Sequence, residues 1–272
     1  MRKKNLQKKS NTVVITGASS GIGKALAIQL VDEDHKVILL ARNVDKLKSI
    51  CDFLGTENAF YYKCDLNIQV QIVEVVNKIV HDHGVPDILV NNAGTGTFKR
   101  FHEMTLEELN APVNVPFVSG MTISWAFLPY FVKEKRGHLI FITAPPSHFP
   151  FPYMMGYMSA RFAIKGLSYG IREEYRKHNI TSSLICFGQV KTDYIKHNDT
   201  DLNWYPRVRK FVRPISKEEA ASVIIRSIQK KSRELIYPKR LRTFVWLDRL
   251  FPFAFYSSLR RIGLLKINKK LK

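Results

Sequence analysis

At 272 residues and 31.4 kDa, with 45% hydrophobic and 24% charged residues, the chain has the composition of a globular protein with a full core, not of a disordered or fibrous one. Its formal net charge is +20. Sixteen of those charges sit at the two ends, residues 1–10 and 230–272, so the nearly neutral span between them excludes a general polyanion-binding surface and makes nucleic acid an unexpected partner.

The first two-thirds alternate short β-branched runs with longer helical patterns. Thr12–Thr16 predicts a buried strand and Gly21–Glu33 a helix. Lys36–Ala41 and Ala59–Cys64 read as strands around a helix at Val44–Leu54, and Asn67–His83 is helical with apolar residues at Val70, Val73, Val76 and Val80. Asp87–Asn91 predicts a fourth strand. A helical region over Leu106–Lys133 is interrupted by Pro112 and Pro116, and Gly137–Thr143 predicts a fifth strand. A helix from about Tyr153 to His178, a strand at Ile180–Cys186, a helix at Lys217–Lys231 and a last strand at Glu234–Tyr237 follow. Apolar strands alternating with helices predict an α/β fold: a Rossmann-type doubly wound parallel sheet with helices on both faces. The expected division is a nucleotide-binding domain over 11–238 and a basic amphipathic extension over 239–272.

Cys51, Cys64 and Cys186 are odd in number and widely spaced, which predicts buried thiols of a reducing compartment and no metal centre. No run of about 20 apolar residues predicts a spanning helix, and no apolar segment follows the basic N-terminus, so a cytoplasmic location is expected. His138 and His148, flanking the fifth strand, are expected at the surface or at a cleft rim.

Thr16 to Gly23 (TGASSGIG) falls between the first strand and the first helix. Glycines there let the backbone turn tightly and approach a pyrophosphate at the helix N-terminus. With Asn91-Asn92-Ala93-Gly94 after the fourth strand, Asp65 after the third, and Gly188-Gln189-Val190-Lys191-Thr192 after the sixth, the chain resembles the short-chain dehydrogenase/reductase family over about residues 11–240. The resemblance implies an oxidoreductase that binds a nicotinamide dinucleotide through Gly17, Ser19, Ser20, Gly21, Ile22, Gly23, Asp65, Asn92, Ala93, Gly94, Val190 and Thr192. It also implies a homo-oligomer. The second strand ends Ala41-Arg42-Asn43, without the carboxylate that would hold an NAD ribose, so Arg42 points to the 2′-phosphate of NADP(H).

By the same resemblance Tyr157 is the catalytic tyrosine, Arg161 stands where the family has lysine and would hold the nicotinamide ribose, and Asn114 corresponds to the family asparagine. Thirteen residues before Tyr157, Ala144 occupies the serine position. Altered catalysis and a cofactor-binding protein without turnover are both consistent with those changes. Tyr194, Trp204, Tyr205 and Phe211, after the sixth strand, suit a lid over a lipophilic small-molecule substrate, or one that merely packs. The tail after Pro238 interleaves Phe, Trp and Leu with Arg and Lys. It suits a peripheral helix on an anionic membrane surface, or a segment packed on the domain or across a subunit interface.

Overall fold

The apolar runs at 12–16, 36–41, 88–91, 137–143 and 180–187 are buried because both their faces are covered, while those at 59–63 and 234–237, at the sheet's edges, are largely half-buried. The computed structural model describes residues 10–198 and 202–267; the basic run over 1–9 and the basic residues of 268–272 lie outside the described residues. In chain order the elements are β1 (Thr12–Thr16), α1 (Gly21–Asp32), β2 (Lys36–Ala41), α2 (Val44–Leu54), β3 (Ala59–Lys63), α3 (Gln69–His83), β4 (Ile88–Asn91), α4 (Leu106–Val113) and α5 (Ser119–Glu134). Then come β5 (Gly137–Thr143), α6 (Met155–Glu174), β6 (Ile180–Phe187), the short β7 (Val190–Lys191), α7 (Tyr194–His197), β8 (Ile215–Ser216), α8 (Lys217–Lys230), β9 (Glu234–Tyr237), α9 (Lys239–Leu250) and α10 (Pro252–Arg261).

Seven strands form one parallel sheet in the order β3-β2-β1-β4-β5-β6-β9. Alternation along each strand divides the core between two faces. Val13, Ile15, Val37 and Leu39 join apolar residues of α1, α2 and α8 on one face, and Val14, Ile38, Leu40 and Leu89 join those of α3, α5 and α6 on the other. The winding reverses between β1 and β4, which opens a crevice at their carboxyl ends, the place where open α/β sheets bind ligands. This is the doubly wound fold that the alternation predicts.

Three features depart from the sequence expectations. The helical pattern over 106–133 is not broken at Pro116: a π turn over Asn114–Val118 joins α4 to α5, with the Ser119 amide donating to the Asn114 carbonyl. One extra residue in the turn makes room for a proline ring that lacks an N–H. The joined run, Leu106–Glu134, is by length and composition long and apolar enough to cross a membrane. Half of its most apolar stretch is nevertheless buried, and Ile123, Phe127 and Phe131 pack on the sheet. His138 and His148 are core residues, 3% and 8% exposed, not rim residues. Burial pushes the pKa of His138 down to about 3 and that of His148 to about 4, so both are neutral at pH 7. His138 pairs with Ser183 at 2.8 Å, and His148 lies 3.1 Å from the Lys165 amine.

All three cysteines are free and buried, as expected of structural thiols. The segment after Pro238 packs on the domain. Leu241, Val245, Leu259 and Leu265 are buried in one apolar cluster with Trp204, Val208 and Val212, and the amides of Arg207 and Val208 donate to the carbonyls of Lys266 and Leu264.

Candidate active site

At the switch point, two loops lock together through main-chain geometry. Gly17 takes a φ of +66° and Gly21 one of +55°, conformations open to glycine at little steric cost. A Cβ on Gly17 would lie 2.9 Å from the Ala93 Cα, and one on Gly23 would lie 2.6 Å from the Gly17 carbonyl oxygen, so neither position has room for a side chain. The Thr16 hydroxyl accepts from the amides of Asn92 and Ala93, at 3.0 and 3.1 Å, while the Asn92 side chain donates to the Thr16 carbonyl at 3.0 Å. Ser20 caps α1 without a side-chain hydrogen bond, and the first turn carries no acidic residue. Unspent amides and the positive end of the helix therefore face the crevice beside Ser19, Ile22 and Gly23.

The other predicted cofactor residues surround this cradle. Thr192 lies against Gly21, its methyl 3.4 Å from where a Cβ would stand. Val190 pairs with Ile215 in the small β7–β8 sheet, which holds Thr192 in place. Asp65 turns its carboxylate back on Asn67, accepting from the amide and side chain of that residue. Arg42 is exposed just beyond the end of β2, and Asn43 after it caps α2. A cradle with no room for a Cβ and a helix start without acidic residues suit a pyrophosphate.

The reacting end is built by α6. Tyr157 and Arg161, four residues apart, share one helical face. Tyr157 is 7% exposed, and the Phe98 ring meets it edge-on at 5.4 Å. The Arg161 guanidinium carbon lies 4.5 Å from the Tyr157 ring centroid, and Nη1 donates to the Ile142 carbonyl at 3.2 Å. Its Nε is buried without a hydrogen-bond partner among the described residues. Burial works against the Arg161 charge, but the neighbouring phenols of Tyr157 and Tyr194 outweigh it and keep the group protonated.

Ala144, at the end of β5, presents no hydroxyl. Ser147, two positions into the Pro-rich turn, spends its hydroxyl on the Ala144 carbonyl at 2.8 Å. Two residues were harder to place from sequence. Asn114 is exposed at the start of the π turn, and its side chain makes no hydrogen bond among the described residues. Pro116 takes the inward place instead, 3.7 Å from where a Cβ on Gly94 would stand and beside the Arg161 Nη2. The role expected of Asn114 is not supported by its position.

Tyr194, expected only as a lid aromatic, reaches the centre. Its hydroxyl is 2.9 Å from the place where a Gly96 Cβ would stand, and the same point lies 2.7 Å from the Tyr157 ring. That hydroxyl is buried without a hydrogen-bond partner among the described residues, and burial pushes its pKa up. Asn198 fastens this part of the lid: its side-chain oxygen accepts from the Thr95 hydroxyl, and its amide group donates to the Tyr194 carbonyl at 2.7 Å. The sequence signal for Tyr194 was its place two residues after Thr192, at the start of the lid.

A small apolar cavity of about 40 Å³ is lined by Pro145, Phe149, Gly188, Tyr205, Val212 and Leu241 among others; Tyr157 is not part of its wall but shares one apolar cluster with Phe149, Val212 and Leu241. Tyr205 packs on Phe98 at 5.6 Å and Trp204 on Tyr153 at 5.1 Å, so the lid aromatics both pack and form a wall. Phe244, Phe255 and Leu259 of α9 and α10 close the far side.

Comparison with known proteins agrees with this geometry. The family model described as short chain dehydrogenase matches residues 11–203. An uncharacterized oxidoreductase of Staphylococcus saprophyticus is 30% identical over 197 residues, covering 71% of this chain and 80% of the relative. A 3-ketodihydrosphingosine reductase of Bacteroides thetaiotaomicron is 27% identical over 237 residues, covering 84% and 80%. A short-chain dehydrogenase structure from Streptomyces avermitilis superposes with a TM-score of 0.81 at 21% identity, covering 94% of this chain and 98% of that one. A metagenomic short-chain oxidoreductase solved in complex with NADP gives a TM-score of 0.69 at 27% identity, covering 83% and 94%.

Proposed function

Because the chain belongs to the short-chain dehydrogenase family, a family of oxidoreductases, we propose that it interconverts a carbonyl and an alcohol on a lipophilic substrate with NADP(H). The observation that carries this reading is Tyr157 against the Arg161 guanidinium, set in an apolar cluster whose other members wall a small apolar cavity. A wall of Phe, Pro, Val and Leu with few polar groups favours an apolar molecule over a polar metabolite. The substrate for which the Bacteroides relative is named, 3-ketodihydrosphingosine, is of that kind. The NADP in the metagenomic neighbour supports the cofactor choice, as does Arg42 at the end of β2.

When bound, the nicotinamide accepts or supplies a hydride. The protein's own part is the proton and the substrate oxygen. In reduction the Tyr157 hydroxyl gives its proton to the carbonyl oxygen, and in oxidation it takes the proton back. The Arg161 guanidinium, against the face of the same ring, stabilises the phenolate left behind. Arginine keeps its charge throughout and is therefore an anchor for ribose hydroxyls, not a proton relay. With Ala144 offering no hydroxyl, Tyr194 supplies the second donor to the substrate oxygen; its buried hydroxyl, beside Arg161 and without a geometric hydrogen-bond partner among the described residues, supports that role.

The test is NADPH consumption against a panel of lipophilic ketones and aldehydes. Wild-type protein would be run beside Tyr157→Phe and beside an Ala144→Ser/Arg161→Lys double variant. We expect wild-type turnover, and a loss of roughly 10²–10⁴-fold in Tyr157→Phe with NADPH affinity retained. An inert wild type beside an active double variant would overturn the reading in favour of a cofactor-binding protein without turnover, which the changes at positions 144 and 161 would then explain.

A further inference from the structure

The two helices that close the cavity have a second face. On α9, Leu241, Phe244 and Val245 point inward, while Arg242, Trp246 and Leu250, spaced by four, form an exposed stripe. On α10, Phe255 and Leu259 point inward, while Phe253, Ser257, Arg260 and Arg261 are exposed. The large apolar side chains concentrate where the helices meet: Trp246 is 58% exposed, Leu250 49%, Phe251 60% and Phe253 88%. Arginines occupy the arms on either side, Arg242 one turn before Trp246 and Arg260 two turns after Phe253. The acidic residues of this region face elsewhere. Glu234 is paired with Arg249 at 2.6 Å, and Asp248 is half-buried and interacts with Lys165.

From this arrangement we infer that the α9–α10 corner docks the protein on an anionic lipid surface. Trp246, Leu250, Phe251 and Phe253 enter the interface, and Arg242, Arg260 and Arg261 meet the headgroups. Charge selects this occupant. Residues 230–272 carry thirteen basic against two acidic residues, and the arginines lie on the same stripes as the apolar residues, as they do on helices that lie in a membrane interface. An aromatic tip flanked by cations is suited to a surface that is apolar in depth and negative at its edge.

The same geometry places the cavity wall immediately behind the docking face. Phe244 and Phe255, 6.1 Å apart, belong to the helices whose outer sides carry the patch, so a lipophilic molecule in the bilayer has a short path through the α9–α10 corner to the cavity. This route rests on the proposed lipophilic substrate, whereas docking does not, and the two are tested separately.

The experiment is sedimentation of the full chain with vesicles of equal parts phosphatidylcholine and phosphatidylglycerol, and with phosphatidylcholine alone. Wild-type protein should sediment with the anionic vesicles. Trp246→Ser/Phe253→Ser and Arg260→Glu/Arg261→Glu should each lower the partition by about 10-fold or more, with NADPH titration unchanged as the check on folding. In a Trp125→Phe background, which leaves Trp246 as the exposed tryptophan beside buried Trp204, anionic vesicles should shift the emission to the blue. Failure of the wild type to sediment would overturn the inference. So would variants that bind like wild type, or patch variants that instead turn a dimer into monomers, since the patch would then be covered by a second copy. If docking holds and turnover on vesicle-borne ketones is no faster than on the same ketones in detergent, the route alone is wrong.

Discussion

The two halves of the crevice obey different rules. On the β1–β4 side, Thr16 to Gly23 and Asn91 to Gly94 keep every feature of a dinucleotide cradle, down to two glycines with no room for a Cβ. On the β5–β6 side, an alanine, an arginine and a proline stand at Ala144, Arg161 and Pro116, and a tyrosine has entered from the lid. The first half is built of backbone amides and close packing, and a substitution there collides with main chain. The second half acts through side-chain tips, which can be exchanged as long as charge and hydroxyl groups reach the same space. A cradle built of main chain and a reacting end built of side-chain tips therefore share one sheet.

Substitutions can break that contrast or sharpen it. The largest effect is expected at Gly23→Val, whose Cβ would meet the Gly17 carbonyl oxygen at 2.6 Å. The loop and α1 must then separate, NADPH binding should be lost, and the melting temperature should fall by several degrees, as an overpacking cost of about 1–3 kcal/mol implies. Normal NADPH titration by Gly23→Val would show that the cradle tolerates change as readily as the catalytic half. Next comes Tyr194→Phe, which should lower kcat by roughly 10²-fold while leaving the affinity for NADPH unchanged. Adding Ala144→Ser to Tyr194→Phe should restore most of the rate; a purely structural Tyr194 would show no such rescue. The smallest effect is expected at Arg42→Asp. It should weaken NADPH by about 10-fold, the equivalent of one charge-assisted contact of about 1.4 kcal/mol, and leave NADH nearly unchanged. Equal weakening of the two would remove Arg42 from 2′-phosphate recognition.

The legibility of the two halves differs for the same reason. β1, β2 and the loop between β1 and α1 could be read directly, because strands buried on both faces must be continuously apolar and a pyrophosphate turn must carry glycine where φ is positive. The pairing of Tyr157 with Arg161 was also readable, since four residues along a helix fix a shared face. Asn114 could not be placed, because the helical pattern does not announce that the chain forms a π turn there and leaves Asn114 exposed while burying Pro116. His138 and His148 looked polar enough for the surface, yet neutral imidazoles with partners in Ser183 and Lys165 are at home in the core.

By itself, then, the sequence determined a doubly wound sheet, the glycine loop between β1 and α1, and the absence of a hydroxyl at Ala144. These are properties of local period, steric room and residue identity. Tertiary structure alone decided that Pro116 replaces Asn114 beside Arg161, that the Tyr194 hydroxyl arrives there from the lid, and that α9 and α10 wall an apolar cavity with one face while exposing Trp246 and Phe253 on the other. Those outcomes depend on how segments distant in the chain meet, which hydrophobic packing settles only once the whole core is assembled.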